Sequence, residues 1–300
     1  MTSPDQQGSL KKVHGAELLL RQRPSDGHKG TFGRVLLLGG SVGMSGSICL
    51  AGVAALRSGA GLVAVAVPDF IQPIVAGFEP SYTTIGLETR RNGSLKHLSP
   101  AAVRGLLSGR SAVGIGPGLG QTHAAVALVG LLMQHCDLPL VMDADALNVA
   151  AANGLLDRSE LWRPDRIITP HPGEFSRLTG LSTDVVNQDR ADAAMRLARE
   201  KRLIVVLKGA GTIVTNGQRL YVNDTGNSGM ATGGSGDVLT GIITALLAQG
   251  VPLFEAAAIG VRVHGIAGDI VASETSERGL IASDLLKALP HTWRLLEPNP

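Results

Sequence analysis

The sequence alternates between short apolar runs and longer stretches that are rich in alanine and leucine. The apolar runs span residues 35–38, 62–67, 112–115, 138–142, 166–169 and 203–207. The stretches of helical composition span residues 46–58, 121–135, 145–153, 174–179, 187–201, 236–248, 253–272 and 282–289. Because the runs are largely apolar and do not alternate with polar residues, both of their faces are expected to be covered. We therefore predict an α/β fold with a mostly parallel central sheet covered by helices on both faces.

One hairpin interrupts this alternation. Asn216-Gly217 lies between residues 212–215 and 219–222, which have strand-like composition, and this dipeptide is a strong hairpin signal. No linker rich in proline, serine or charge divides the chain, so we predict a single domain over residues 1–300. Residues 1–25 are predicted to form a surface lead-in, with a short helix around residues 16–22.

Charge and composition narrow the class of partner. The chain has 27 basic and 25 acidic residues without a basic stripe, and only 3% of its residues are aromatic, so nucleic-acid binding is not expected. Cys49 and Cys136 cannot form a disulfide framework, which suits a reducing compartment.

The uncharged residues 35–56 fit a strand, a glycine loop and a helix better than a membrane span. We predict a cytoplasmic protein with small-molecule substrates. The apolar stretch 253–272 suits either the core or a homo-oligomer interface.

Glycine and a few polar residues follow directly after five of the apolar runs. These segments begin at Gly39, Gly116, Asp143, Pro170 and Lys208. In a parallel sheet, all five would lie along one edge, outside the carboxyl ends of the strands, where ligands bind in open α/β folds. We therefore predict that this edge carries the active site.

A sixth glycine-rich segment, residues 227–241, opens a helix. The free N–H groups of such a loop and the helix dipole favour an anion such as phosphate. We predict an anion hole formed by Gly233, Gly234, Ser235 and Gly236, with Asp237 reaching into the site. The alternative interpretation of Asp237 is a helix N-cap.

Other polar residues allow more than one interpretation. Asp143 and Asp145 could order a metal-bound water or cap the next helix, and the sequence does not choose between them. His264 lies in an apolar helix, which is more typical of a structural residue. No Walker A motif or zinc spacing is present, and the glycine spacing after residue 38 does not match a dinucleotide fingerprint.

Taken together, these motifs resemble those of the NAD(P)H-hydrate dehydratases, a carbohydrate-kinase-like branch of the ribokinase-like fold. The resemblance extends in motif order over residues 25–290, and the segments that carry it are residues 39–41, 116–120, 143–147, 171–174 and 227–241.

The resemblance implies a repair reaction in which the C6 hydroxyl of hydrated NADH or NADPH (NADHX or NADPHX) is phosphorylated and phosphate then departs. The implied donor is ADP or ATP, with ADP favoured, and Mg²⁺ is the implied metal. Asp237 would accept the hydroxyl proton. An ordinary aspartate is a weak base, which a loose phosphoryl-transfer transition state tolerates.

The resemblance also implies roles for individual residues. The implied nucleotide site is Lys208, Gly209, Ala210, Gly211, Thr212 and Gly236. The implied substrate site is Gly46, Ser47, Gly118, Gly120, His171 and Asp237. Glu174 is the residue implied to organise Mg²⁺ through water. Ser47 stands where the family leads us to expect alanine, which leaves that wall contact open.

Many relatives carry a fused epimerase domain, which this sequence does not show. The resemblance therefore implies action on the S epimer and cooperation with a separate epimerase. Two rival hypotheses share the anion loop: a kinase of the same fold acting on a hydroxymethyl-pyrimidine or hydroxyethyl-thiazole, and a non-catalytic nucleotide-binding regulator. The kinase would not account for residues 171–174 together with residues 227–231, and the regulator would have no need of Asp237.

Overall fold

A computed structural model describes residues 10–18, 22–158, 161 and 165–297. Over these residues ten strands form one sheet. The strands are β1 (Lys11–Val13), β2 (Arg34–Leu38), β3 (Leu62–Pro68), β4 (Thr83–Leu87), β5 (Ala112–Ile115), β6 (Leu140–Met142), β7 (Arg166–Ile168), β8 (Ile204–Leu207), β9 (Ile213–Thr215) and β10 (Arg219–Val222). Their order across the sheet is β1-β10-β9-β8-β7-β6-β5-β2-β3-β4.

The sheet is mostly parallel, as predicted. Within it, β9 is antiparallel to both of its neighbours, β8 and β10, and the other recorded pairings are parallel. The predicted hairpin at Asn216-Gly217 joins β9 to β10. Strands β8, β7, β6, β5 and β2 are consecutive in the sheet, so their carboxyl ends form one continuous edge.

Helices cover both faces of this sheet. They are α1 (Ser45–Arg57), α2 (Gln72–Phe78), α3 (Pro100–Leu107), α4 (His123–His135), α5 (Ala144–Ala152), α6 (Pro172–Thr179), α7 (Thr183–Gln188), α8 (Arg190–Lys201), α9 (Ser235–Ala248), α10 (Leu253–Glu274) and α11 (Ala282–Leu296). Successive side chains of a strand point to opposite faces, so each strand supplies two cores. Val35 and Leu37 pack with α1, α9, α10 and α11, whereas Leu36 and Leu38 pack with the layer that contains α4, α5 and α8.

Small residues set the distance between α1 and α9. A Cβ atom on Gly241 of α9 would lie 2.2 Å from the carbonyl oxygen of Ala51 in α1, so only glycine allows this approach. The close contact places the first turn of α9 beside the first turn of α1. It therefore brings the segment before Asp237 to the wall formed by residues 39–47.

The structure differs from the sequence predictions in several elements. Strand β1 lies within the predicted lead-in and pairs with β10, and β4, α2 and α3 were not predicted. The predicted helix 187–201 corresponds to α8, which Asp189 caps, while its first two residues belong to the separate helix α7. Of the helix predicted around residues 16–22, one 3-10 turn at Gly15–Glu17 is present, and residues 19–21 lie outside the described residues. Edge strands and short helices carry weak patterns because they are only partly buried.

Helix α10 passes a length and composition test for a membrane span, with a mean hydropathy of 1.2. Within the fold, 61% of the residues in its most apolar window are buried. Apolar composition on this scale is expected of a helix that packs against α9 and α11 in the core.

Candidate active site

The edge formed by the carboxyl ends of β2, β5, β6, β7 and β8 gathers the polar residues predicted to form the site. Lys208 follows β8, His171 follows β7, and Asp143 follows β6. The first turn of α9, with Gly236 and Asp237, approaches the same edge, because a Cβ atom on Gly236 would lie 3.2 Å from Lys208 Nζ. The sheet therefore brings together the predicted loops, which are separated by up to about 200 residues in the sequence.

A buried ion pair joins two of these loops. Lys208 Nζ lies 2.6 Å from Asp143 Oδ1 and 3.8 Å from Glu174 Oε2. Thr240 Oγ1 donates to Asp143 Oδ2 at 2.7 Å, so both oxygens of this carboxylate, which is 1% exposed, have partners. Burial lowers the pKa of Lys208, but the carboxylates of Asp143 and Glu174 outweigh it and raise that pKa above its ordinary value. Lys208 therefore stays charged at neutral pH.

Of the two interpretations of Asp143 and Asp145, the structure bears on the helix cap. The Asp143 side chain occupies the position before α5 without capping it, and instead accepts hydrogen bonds from Lys208 and Thr240. Asp145 Oδ2 accepts the N–H of Gly120 at 2.8 Å, which ties the loop after β5 to α5. Between them, Ala144 has φ of +48°, a strained conformation that is typical of functional sites.

Asp237 is a buried carboxyl group in the first turn of α9. Its residue is 9% exposed, and its pKa is raised to about 7, first by burial and then by the charge of Asp143. A hydrogen bond with Ser47 and the charge of Lys208 act in the opposite direction. The structure thus differs from the expectation of an ordinary, weakly basic aspartate, because desolvation raises the pKa of this carboxyl group to about 7.

Ser47 belongs to the wall that faces this carboxyl group. A Cβ atom on Gly118 would lie 3.1 Å from Ser47 Cβ and 2.5 Å from the carbonyl oxygen of Met44, so the loop after β5 packs directly on the start of α1. Gly118 also has φ of +63°, which favours glycine. The departure from the expected alanine thus places a hydroxyl group against Asp237.

We expect Ser47→Ala to shift the acid limb of the pH–activity profile to higher pH. The hydrogen bond with Ser47 lowers the pKa of Asp237, so its loss raises that pKa further and leaves less of the base ionised below pH 7. Activity is expected to fall severalfold near pH 6 and to change little near pH 8.5. The profile of kcat/KM measures this, with Ser45→Ala as the control on the same turn. An unshifted acid limb would show that Ser47 does not act on Asp237.

His171 and Glu174 form a capping box at the start of α6. His171 Nδ1 accepts the N–H of Gly173 at 3.0 Å, and Glu174 Oε2 accepts the N–H of His171 at 2.8 Å. Burial, followed by the charges of Lys208 and Arg177, lowers the pKa of His171, so the ring is neutral at physiological pH. Its side chain is 50% exposed at the sheet edge, where a ligand can reach it.

Glu174 is poorly placed to ligate a metal directly. The residue is 4% exposed, and its Oε2 already accepts the N–H of His171 while lying 3.8 Å from Lys208 Nζ. No group of three potential metal-ligating side chains occurs among the described residues. The Glu174 carboxylate could therefore act on Mg²⁺ only through a water molecule. Such an ion would take most of its ligands from substrate phosphates and solvent.

The predicted anion loop, Gly233 to Gly236, leads into α9, and its Ser235 carbonyl group contacts His264 of α10. Gly234 has φ of +90°, and a Cβ atom on Gly233 would meet nothing within 4 Å, so this part of the loop is open. His264 Nε2 lies 2.9 Å from the carbonyl oxygen of Ser235, and burial lowers the pKa of this histidine to about 4. The neutral ring donates its N–H to that carbonyl, which agrees with a structural role.

Three contacts at this edge were not predicted from the sequence. They are the hydrogen bond of Thr240 with Asp143, the contact of His264 with Ser235, and the contact of Arg190 with the loop after Lys208. Each joins residues from separate elements. The polar character of Thr240, next to apolar residues of α9, was the one available signal for its contact with Asp143.

A family model described as NAD(P)H-hydrate dehydratase matches residues 35–291. The chain belongs to the NAD(P)H-hydrate dehydratase family. Its relatives include an ADP-dependent (S)-NAD(P)H-hydrate dehydratase of Neisseria meningitidis, which is 39% identical over 90% of this chain and 88% of that protein. A bifunctional NAD(P)H-hydrate repair enzyme of Moorella thermoacetica is 44% identical over 93% of this chain. The chain spans about half the length of such bifunctional relatives, 52% in that case.

Solved structures place the fold in the same group. The ADP/ATP-dependent NAD(P)H-hydrate dehydratase of Bacillus subtilis, co-crystallised with ATP and Mg²⁺, superposes with a TM-score of 0.81 at 30% identity, over 96% of this chain and 99% of that one. A ribokinase-like protein of Enterococcus faecalis gives a TM-score of 0.82 at 28% identity, over 99% of this chain and 100% of that one. The predicted ribokinase-like α/β fold is thus confirmed.

Proposed function

We propose that this member of the dehydratase family restores NADH or NADPH from its (6S)-hydrate in a nucleotide-dependent reaction. The observation that carries the proposal is Asp237, a buried carboxyl group with a pKa near 7 in the first turn of α9, next to an open glycine loop and the Lys208 ammonium group. A base and an anion site at one helix terminus suit phosphoryl transfer to an alcohol. Family membership supplies the substrate class.

The proposed first step transfers a phosphoryl group to the C6 hydroxyl of the hydrate. Asp237 takes the hydroxyl proton while the hydroxyl oxygen bonds to phosphorus and the bond to the nucleotide's leaving oxygen breaks. The N–H groups of the loop from Gly233 to Gly236, together with the positive end of α9, stabilise the charge of the transferring group. In the second step the C6–O bond breaks and phosphate leaves with the bonding electron pair, while the neighbouring ring carbon loses a proton to the departing phosphate or to water as the double bond re-forms.

The nucleotide is proposed to lie on the segment from Lys208 to Thr212 and on Gly236. Thr212 Oγ1 accepts the N–H of Gly209 at 3.2 Å, which closes this segment into a compact turn at the end of β8. Mg²⁺, bound mainly by the nucleotide's phosphates and by water, would neutralise part of their charge. The hydrated dinucleotide would lie between His171, Gly118, Gly120 and the wall with Gly46 and Ser47.

ADP is the proposed donor, and ATP is the alternative. The Neisseria relative is named as ADP-dependent, whereas the Bacillus protein is named as using ADP or ATP. A vitamin-precursor kinase is disfavoured by the family match, because a hydroxyethylthiazole kinase of Pyrococcus horikoshii shares only the fold, with 15% identity. A separate epimerase acting on the R epimer, and a cytoplasmic location, stay predictions.

The test is the absorbance at 340 nm of the protein with hydrated NADH, Mg²⁺ and either ADP or ATP. We expect the absorbance to rise with ADP, together with release of free phosphate, because the reaction re-forms the dihydronicotinamide. A rise only with ATP would reassign the donor. A stable phosphorylated product without NADH would contradict the dehydratase and favour the kinase, and nucleotide binding without turnover would favour a regulator.

A further inference from the structure

Arg190 lies behind the loop predicted to hold the nucleotide. It is the first residue of α8, and its guanidinium group donates three hydrogen bonds to main-chain carbonyl groups at the end of β8. Nη1 donates to the Ala210 oxygen at 2.5 Å, and Nη2 donates to the oxygens of Leu207 and Lys208 at 3.0 and 2.9 Å. The rigid, planar guanidinium group can hold several acceptors in one geometry, which a lysine ammonium group cannot reproduce.

These contacts orient the loop's N–H groups. In a trans peptide unit the C=O and N–H bonds point in opposite directions, so fixing the Ala210 carbonyl toward Arg190 turns the Gly211 N–H away from it. Within the described residues, the Gly211 N–H makes no hydrogen bond. Gly211 has φ of +62°, a conformation that suits a loop whose N–H groups converge on an anion.

Gly209 completes the contact. Its φ is +137°, and a Cβ atom there would lie 2.9 Å from Arg190 Nη2, so a side chain at residue 209 would displace the guanidinium group. Arg190 forms no ion pair with a carboxylate among the described residues, and its buried Nε has no hydrogen-bond partner there. The Arg190 guanidinium group thus donates its hydrogen bonds to main-chain carbonyl groups at the end of β8 rather than to an acidic side chain.

We infer that Arg190 is a positioning residue that holds the Lys208–Thr212 segment in the shape that binds the nucleotide's phosphates. The inference rests on the proposed function for its ligand class, a nucleoside di- or triphosphate. Arg190 acts through the loop's main chain and does not itself touch the reacting atoms. Its replacement should therefore weaken nucleotide binding and leave the chemistry near Asp237 intact.

The test compares Arg190→Lys and Arg190→Met with the parent protein by calorimetric titration with ADP. Both variants are expected to raise the Kd for ADP about tenfold or more, because lysine keeps the charge but loses the three-point geometry. In turnover assays the KM for ADP should rise, while kcat at saturating ADP and the KM for hydrated NADH stay within about twofold. Arg196→Met is the matched control on the same helix, since Arg196 is 78% exposed and pairs only with Asp192 among the described residues.

Three results would overturn the inference: parent affinity for ADP in both variants, parent affinity in Arg190→Lys alone, or equal losses in the KM values for both substrates. The second would show that charge suffices, and the third would show a general structural defect. If Arg190→Met fails to fold, Arg190→Lys decides the question. A parent protein that binds ADP without turnover would contradict the proposed function while leaving the Arg190 test valid.

Discussion

Replacing Asp237 with asparagine is expected to lower kcat by roughly 10²-fold or more while the Kd for ADP changes less than about twofold. Asparagine has the same shape but cannot accept the proton of the substrate hydroxyl, and the main-chain N–H groups of the anion loop are unaffected. The increase in absorbance at 340 nm under saturating substrates measures the first quantity, and calorimetric titration with ADP measures the second. If the variant retains the parent rate, Asp237 has no role in proton transfer and acts only at the start of the helix.

The same substitution is expected to stabilise the fold at alkaline pH. The pKa of Asp237 is about 7 in the folded protein and near 4 in an unfolded chain. Between these values the folded state keeps a proton that the unfolded state has released, so stability declines as the pH rises through this window. Ionised Asp237 therefore destabilises the fold above pH 7, and Asp237→Asn removes that penalty.

We expect the Asp237→Asn variant to exceed the parent in unfolding free energy by about 2–4 kcal/mol at pH 8 and by less at pH 5. Denaturant unfolding at the two pH values measures the difference. Asp145→Asn is a useful comparison at the same sheet edge, because that carboxylate accepts a hydrogen bond from Gly120 and should lose stability instead. An Asp237→Asn gain that does not depend on pH would contradict the raised pKa as its cause.

Replacing Lys208 with alanine is expected to destabilise the protein by about 3–5 kcal/mol, as happens when a buried ion pair loses one partner. Asp143 is 1% exposed, and without Lys208 its side chain keeps, among the described residues, only the hydrogen bond from Thr240. Nucleotide affinity should fall as well, because Lys208 begins the proposed nucleotide segment. Denaturant unfolding and titration with ADP separate the two effects.

Two further variants test whether the loss of stability comes from leaving the Asp143 charge buried without its partner. Lys208→Met combined with Asp143→Asn should recover part of the stability, because no uncompensated charge is then buried. Lys201→Ala, which breaks contacts with the exposed Asp157 and Glu200, should cost no more than about 1 kcal/mol. Unchanged ADP affinity in Lys208→Ala would remove Lys208 from the nucleotide site and leave it as a structural cation.

Much of the fold could be predicted from local patterns. The six apolar runs became β2, β3, β5, β6, β7 and β8, within two residues at each end. Glycine-rich loops after several of these strands marked the site edge, because the carboxyl ends of parallel strands all lie on the same side of the sheet, where ligands bind in open α/β folds. The weakly patterned β1 and β4 were missed because edge strands are covered on fewer sides, which leaves their polar residues in place.

The sequence by itself thus determined the parallel sheet, the edge that carries the site and the family to which the chain belongs, since these depend on patterns within short segments. Only the tertiary structure decided how the site works. Lys208 meets Asp143 across 65 residues and Asp143 meets Thr240 across 97, and both contacts depend on the order of strands in the sheet. The basicity of Asp237 depends on burial by neighbouring elements, because the free energy of ionisation responds to the solvent and charges around a group rather than to its place in the chain.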